Sequence, residues 1–473
     1  MPSAAFTIAE YVARTRFEDL PPAAVAASLV CVQDLLGVAL AGATTPWAAL
    51  VAATAESLGT RGAATWWGTG RRGSPVSAAL VNGTAAHALD WDDDPGCCHI
   101  GAVVIPAAVA EAEWRGAPGS ELLNAICAGY DVTTRVSDGI DPDRLYQKGY
   151  HPTAVCGVFG AAAAVGRLMR LSPGALADAL GIAGSFSAGN MEFLSDGAMT
   201  KRVQAGKAAA DGVLAAHLAG RGFTGPRTIL EGPYGLWRYT EWRQTERFTA
   251  DLGRRYAINE VHFKKHACCL AMAAALDGAL ELVREHRLQV RDIAAIRVGL
   301  CPTGHSQVGE PHDPDAAPPT VMAAQMSLRY SLAVCLLDGG VGAEQFAETR
   351  LASPEVLDLS RRIEPYVHPA LAGAPPDDVT AFLDVMTRDG RTISRVQPTY
   401  RGHPSTPMSA AEMEEKFRLC AGRLLGAGEV EQLISAIHRL PELRTLAKLV
   451  GPLRGAGRPA PAVKARRSAT GGR

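Results

Sequence analysis

Four times before residue 190 a proline heads a long Ala-, Leu- and Val-rich run, at Pro21-Pro22, Ser74-Pro75, His151-Pro152 and Ser172-Pro173. Proline has a fixed φ and no amide hydrogen, so it suits the first turn of a helix and breaks its interior. The pattern predicts helices over Pro22 to Gly42, Pro75 to about Asp90, Pro152 to about Met169 and Pro173 towards Gly184, with another from Lys201 to about Ala219. In the first, Val25, Leu29, Val32, Leu36 and Leu40 recur at three- and four-residue steps, the spacing of one helix face. Apolar residues make up 47% of the chain but aromatics only 6%, which favours helix over sheet. A mainly α fold is expected, with almost no strand signal before about residue 260.

Beyond that point β-branched or alternating runs appear at Ile293 to Leu300, Ala381 to Met386 and Thr392 to Val396, the last two joined by an Asp389-Gly390 turn. A helix is expected over Ala267 to His286, packed on that sheet, and helical pattern returns from Ser409 to Leu449. Since 473 residues exceed the roughly 250 to 300 at which single cores stop growing, two domains are expected. They are an all-helical one from 1–262 plus 401–450 and a smaller α+β one from 263–400, with 451–473 a disordered Gly/Pro/Arg-rich tail.

With 47 basic and 48 acidic side chains, the chain has no electrostatic footprint for nucleic acid or an anionic membrane, which leaves a small molecule or another subunit as partner. No secretion signal is visible among the charges of the first twenty residues, and Gly42 to Pro46 break the longest uncharged stretch, Leu35 to Ala55. A cytoplasmic protein is expected. None of its ten cysteines forms a Cys-x-x-Cys pair, and the neighbours Cys97/Cys98 and Cys268/Cys269 do not resemble a metal ligand set.

His99, His151, Lys201 and Lys264 each stand where a helix is expected to begin. Helix starts carry unpaired N–H groups and partial positive charge, so a lysine there calls for a negative partner. An anionic ligand is one candidate; a solvated surface lysine is the commoner alternative. Just before His99 lies an acidic run, with His87 and Asp90 three residues apart and Asp92, Asp93 and Asp94 at the expected helix end. Crowded carboxylates beside lysines and imidazoles suit acid–base chemistry, because their proton affinities are pushed apart. Metal binding and a solvated acidic loop are the alternatives.

These segments resemble the MmgE/PrpD family. The resemblance rests on Asn82 to Asp93, Gly149 to Thr153, Thr200-Lys201 with Gly206, Gly222 to Pro226 before Leu230 to Gly232, and Lys264 with Cys269. It continues through Ser327 to Tyr330 and Gly402 to Pro404 with Pro407 to Ser409, in order over about residues 5 to 450. It implies a large helical domain, a smaller inserted α+β lid, an active site between them, a homodimer, and no metal or organic cofactor. It places Asp90, His99, His151, Lys201, Lys264 and Tyr330 among the active-site residues, with His151, Lys201, Lys264, Asp94 and Tyr330 touching substrate.

The family's reactions pass through a carbanion-like centre beside a carboxylate. The expected substrate is a small di- or tricarboxylate, and dehydration of a 2-methylcitrate-like hydroxy acid is the first expectation. Decarboxylation of a cis-aconitate-like acid, epimerisation at an acidic carbon and a non-catalytic carboxylate-binding homologue are the alternatives. Three departures leave the substrate open. Asp94 stands where the family's decarboxylases have threonine, the loop from Asp90 to His99 is one residue shorter and carries Cys97 and Cys98, and His266-Ala267 replaces an aromatic-proline pair.

Overall fold

A computed structural model describes residues 2–94, 98–309, 317–375 and 378–455. The proline-headed runs are helices as expected, over Pro22–Gly42, Pro75–Ala86, Pro152–Leu168 and Pro173–Phe186, and the helix carrying Lys201 spans Thr200–Gly220. Ser74 and Ser172 cap theirs, each accepting the amide N–H three residues on. Helices Gly101–Arg115 and Gly119–Ile140 complete a densely packed group in which Pro152–Leu168 is buried along its whole length. Among the described residues before 260, strand is limited to the two-residue pair Ala64–Thr65 and Arg72–Gly73. Pro22–Gly42 is long and apolar enough to cross a membrane, but 67% of its apolar window is buried inside the fold.

Small residues set how closely the helices approach. A Cβ on Gly83 would sit 2.8 Å from the Gly206 Cα, and one on Gly206 would sit 2.3 Å from the Leu80 carbonyl oxygen, so Pro75–Ala86 and Thr200–Gly220 cross almost backbone to backbone. Gly206→Ala is expected to lower stability by about 1–3 kcal/mol through overpacking, read from urea unfolding midpoints.

The sheet runs in the order Ile363–Val367, Ile293–Leu300, Ala381–Thr387, Thr392–Gln397, with the first pair parallel and the others antiparallel. Ala381, Leu383, Val385 and Thr387 point inward on alternate positions, and Leu383 packs against Gly278 of helix Ala273–Glu285. That helix starts later than expected. Ahead of it the backbone is tied to other segments: Phe263 N–H donates to the Gly402 carbonyl, Ala267 N–H to Val341 and Cys269 N–H to Gln325. The C-terminal helices Ala410–Ala421 and Ala427–His438 return to the N-terminal half, where Phe417 lies against Gly37. Helix Ala447–Leu453 carries order past the expected start of the tail, with Leu453 buried; residues 456–473 lie outside the described set.

Candidate active site

The helix Pro75–Ala86 stops at His87, earlier than the expected Asp90, and the chain turns through Asp90 at φ +54°. A left-handed aspartate is tolerated better than most residues but still carries strain of about 1 kcal/mol. The turn is buried, so its carbonyls need donors. Side chains remote in sequence supply them. Ala88 accepts from Trp47 Nε1 and Arg202 Nε, Leu89 from Gln325 Nε2, Asp90 from Lys264 Nζ and Trp91 from Lys416 Nζ. Lys416 also pairs with buried Asp34 at 2.7 Å.

Each carboxylate of the acidic run has a different neighbourhood. Asp90 receives both lysines, Lys201 Nζ at 2.9 Å on Oδ2 and Lys264 Nζ at 2.9 Å on Oδ1. Burial pushes its carboxyl up, but the two ammonium groups outweigh it and hold Asp90 well below the usual carboxylate range. Asp92 is 2.9 Å from His87 Nδ1 and 3.2 Å from His99 Nδ1, and these rings likewise overcome burial and keep it ionised. Asp93 accepts from the Gly101 N–H at 3.0 Å and the Tyr130 hydroxyl at 2.5 Å, tying down the start of helix Gly101–Arg115. Asp94 is 7% exposed, and its Oδ1 is buried with no hydrogen-bond partner among the described residues.

Asp90 thus supplies both lysines with a negative partner from within the chain, which the helix-start argument did not name. Lys264 also lies in the irregular stretch ahead of helix Ala273–Glu285 and not at a helix start. Lys201 is the second residue of its helix, His151 is the N-cap residue of Pro152–Leu168, and His99 lies two residues before Gly101.

Asp94, His99, His151 and Lys201 face one cavity of about 180 Å³. Asp90 and Lys264 lie behind Lys201. Tyr330 is not brought to the cavity: it is 1% exposed, its ring lies near Phe346, and its hydroxyl donates to the Gln345 carbonyl. Cys97 lies outside the described residues, while Cys98 is buried with its sulfur 3.5 Å from the Ser137 hydroxyl. The same cavity is also lined by Cys269, Gln307 and Asp378, together with His262, Tyr400 and His403. His262 Nδ1 is 2.6 Å from the Tyr400 hydroxyl, and the His262 and His403 rings meet edge to face. No local pattern marked this part of the lining, because its members come from separate loops; Cys269 and His403 lay inside recognised motifs but had no role there.

His151 Nδ1 lies 2.8 Å from Gln204 Oε1, and the same amide donates through Nε2 to the Asn190 carbonyl. That orientation puts the ring proton on Nδ1 and leaves Nε2 bare. Burial, then His87 and Lys201, hold His151 well below its ordinary value, so the ring is neutral near pH 7. A neutral ring with a bare Nε2 can accept a proton but brings no charge to a carboxylate. His99 has Asp92 on one nitrogen and, on the other, Asp90 at 3.7 Å and Asp94 at 3.8 Å, so an imidazolium there faces carboxylate on both sides.

His87, Asp90, Asp92 and His99 offer ligand atoms within 4.8 Å of one another. A cation placed among them would compete with both ammonium groups for Asp90, so the donor set fits a metal poorly.

The buried titrating groups oppose one another with pH. Burial lowers His87 to about 4 despite Asp92. The unfolded chain takes up that proton first on acidification, and stability is lost as pH falls from about 6.5 towards 4. Burial raises Asp93 to about 7 against the Tyr130 hydrogen bond. The folded chain then holds the extra proton, and stability is gained over nearly the same interval. In Asp93→Asn the urea midpoint should fall more steeply between pH 7 and 4 than in the parent; equal slopes would remove the protonated Asp93.

Residues 7–246 match the MmgE/PrpD N-terminal domain and residues 266–441 the MmgE/PrpD C-terminal domain. A cis-aconitate decarboxylase of Aspergillus terreus is 28% identical over 469 residues, covering 94% of this chain and 95% of its own. The human cis-aconitate decarboxylase is 29% identical, covering 90% and 89%. A cis-aconitate decarboxylase-like protein of Aspergillus oryzae is 27% identical, covering 95% and 96%.

Proposed function

The chain belongs to the MmgE/PrpD family, and from that premise we propose that it is a lyase acting on a small di- or tricarboxylate through a carbanion stabilised beside a carboxylate. The observation that carries this reading is the convergence on one cavity of Lys201, backed by Asp90 and Lys264, with the neutral imidazole of His151 and the carboxylate-flanked His99. A carbanion next to a carboxylate is too basic to form near pH 7 unless fixed positive charge meets it as it develops. Lys201 supplies that charge at the cavity wall. Lys264 keeps the Asp90 carboxylate shared, so that Lys201 is not wholly neutralised by it.

Decarboxylation is the first reaction to test, since the relatives carrying that name span nearly the whole chain. There the C–C bonding pair stays on the substrate carbon as carbon dioxide leaves, and a proton from His99 then quenches it. Dehydration is the second reading, favoured by Asp94 Oδ1, a buried acceptor without a hydrogen-bond partner among the described residues. In that case the bare Nε2 of His151 takes the carbon-bound proton, and His99 protonates the departing hydroxyl. No step in either course calls for a cofactor. The sheet-bearing segment 263–400 would act as a lid, since its Cys269, Gln307 and Asp378 line the same cavity as His99 and Lys201.

The test is incubation with a panel of di- and tricarboxylates in heavy water, followed by mass spectrometry. Loss of carbon dioxide with one deuteron gained, a net loss of about 43 mass units, loss of about 18, and deuterium uptake without loss separate decarboxylation, dehydration and epimerisation. Tight binding with none of these changes would leave a carboxylate-binding protein instead.

A further inference from the structure

Within the cavity, charge is unevenly distributed. Lys201 is the one ammonium group among its described lining residues, and it already shares Asp90 with Lys264. Two carboxylates, Asp94 and Asp378, face the same space. Asp378 Oδ1 accepts the Thr380 N–H. Among the described residues, Asp94 has no such relief on Oδ1, its Oδ2 has only His99 at 3.8 Å, and its side chain is 10% exposed. A buried acceptor without a partner costs free energy until a donor reaches it. A third substrate carboxylate placed there would instead meet like charge in a poorly solvated space.

We infer that Asp94 selects the substrate, accepting an O–H or N–H donor on a dicarboxylate and excluding a third carboxylate from that end of the cavity. The inference rests on the polycarboxylate reading above and narrows it. Recognition then divides between two ends. Lys201 receives one carboxylate, and Asp94 receives a hydroxyl or ammonium group.

Isothermal titration with succinate, racemic malate, racemic aspartate and tricarballylate separates the possibilities, because malate adds only a hydroxyl to succinate, aspartate only an ammonium group, and tricarballylate a third carboxylate arm. Malate or aspartate should bind at least about tenfold tighter than succinate, since a hydrogen bond to a buried charged group is worth that much, and tricarballylate should be weakest. A preference for malate identifies a hydroxyl donor and one for aspartate an ammonium donor. Asp94→Ala should erase the donor preference and tighten tricarballylate by about tenfold; Asp94→Asn should keep the malate preference and lose that for aspartate. Binding in which tricarballylate is tightest in the parent, or in which the donor preference survives Asp94→Ala, overturns the inference and leaves the polycarboxylate reading standing. If none of the four binds the parent chain, both fall together.

Discussion

Lys201→Ala is expected to reduce turnover about 100- to 1,000-fold while the chain stays folded, the scale of removing one preorganised charge from a developing anion. The fold survives because Asp90 keeps Lys264 at 2.9 Å, so the truncation leaves no buried carboxylate unpaired. If charge development is the reason, the loss lies in kcat more than in KM. Single-turnover measurements on the substrate identified by mass spectrometry, with circular dichroism as the folding control, decide it. Turnover within threefold of the parent would remove Lys201 from the chemistry.

Asp90→Ala should have the larger effect on stability, about 3–5 kcal/mol in urea unfolding, because it strands two buried ammonium groups at once. Alanine must also adopt φ +54° at this turn, whereas glycine does so freely. Asp90→Gly is therefore expected to be more stable than Asp90→Ala by about 1 kcal/mol, and both should be inactive. Equal stability of the two variants would mean that the turn relaxes once the carboxylate is gone. A loss under 1 kcal/mol in either would mean that the lysines find other partners.

The helix starts at Pro22, Pro75, Pro152 and Pro173 were legible because their signal is local, a proline in the first turn, joined at Pro75 and Pro173 by a capping serine. The strands at Ile293–Leu300 and Ala381–Thr387 were legible for the same reason, through β-branched or alternating side chains. Local signal misled where distant contacts decide. The Ala-rich stretch from Ala267 has helix propensity, yet its first residues are held by Val341 and Gln325. The acidic run announced crowded charge but not its distribution, because Lys264, Lys201 and Tyr130 are remote from it in sequence. Tyr330 was placed by resemblance alone, and its hydroxyl is engaged with Gln345 away from the cavity. Gln204, which fixes the His151 tautomer, carried no signal of its own beyond its place on the Lys201 helix.

The successive carbonyls of Ala88 to Trp91 are satisfied by residues 114, 236, 174 and 325 positions away. Contacts of such separation close late, after the helices that bear them have formed. During refolding, competence should thus trail helical content, and shortening the chain before Lys416 would disable a cavity to which that residue contributes no wall. Catalytic assay is in this sense a sensor of complete assembly, responding to damage near the carboxyl end as readily as to damage at His99.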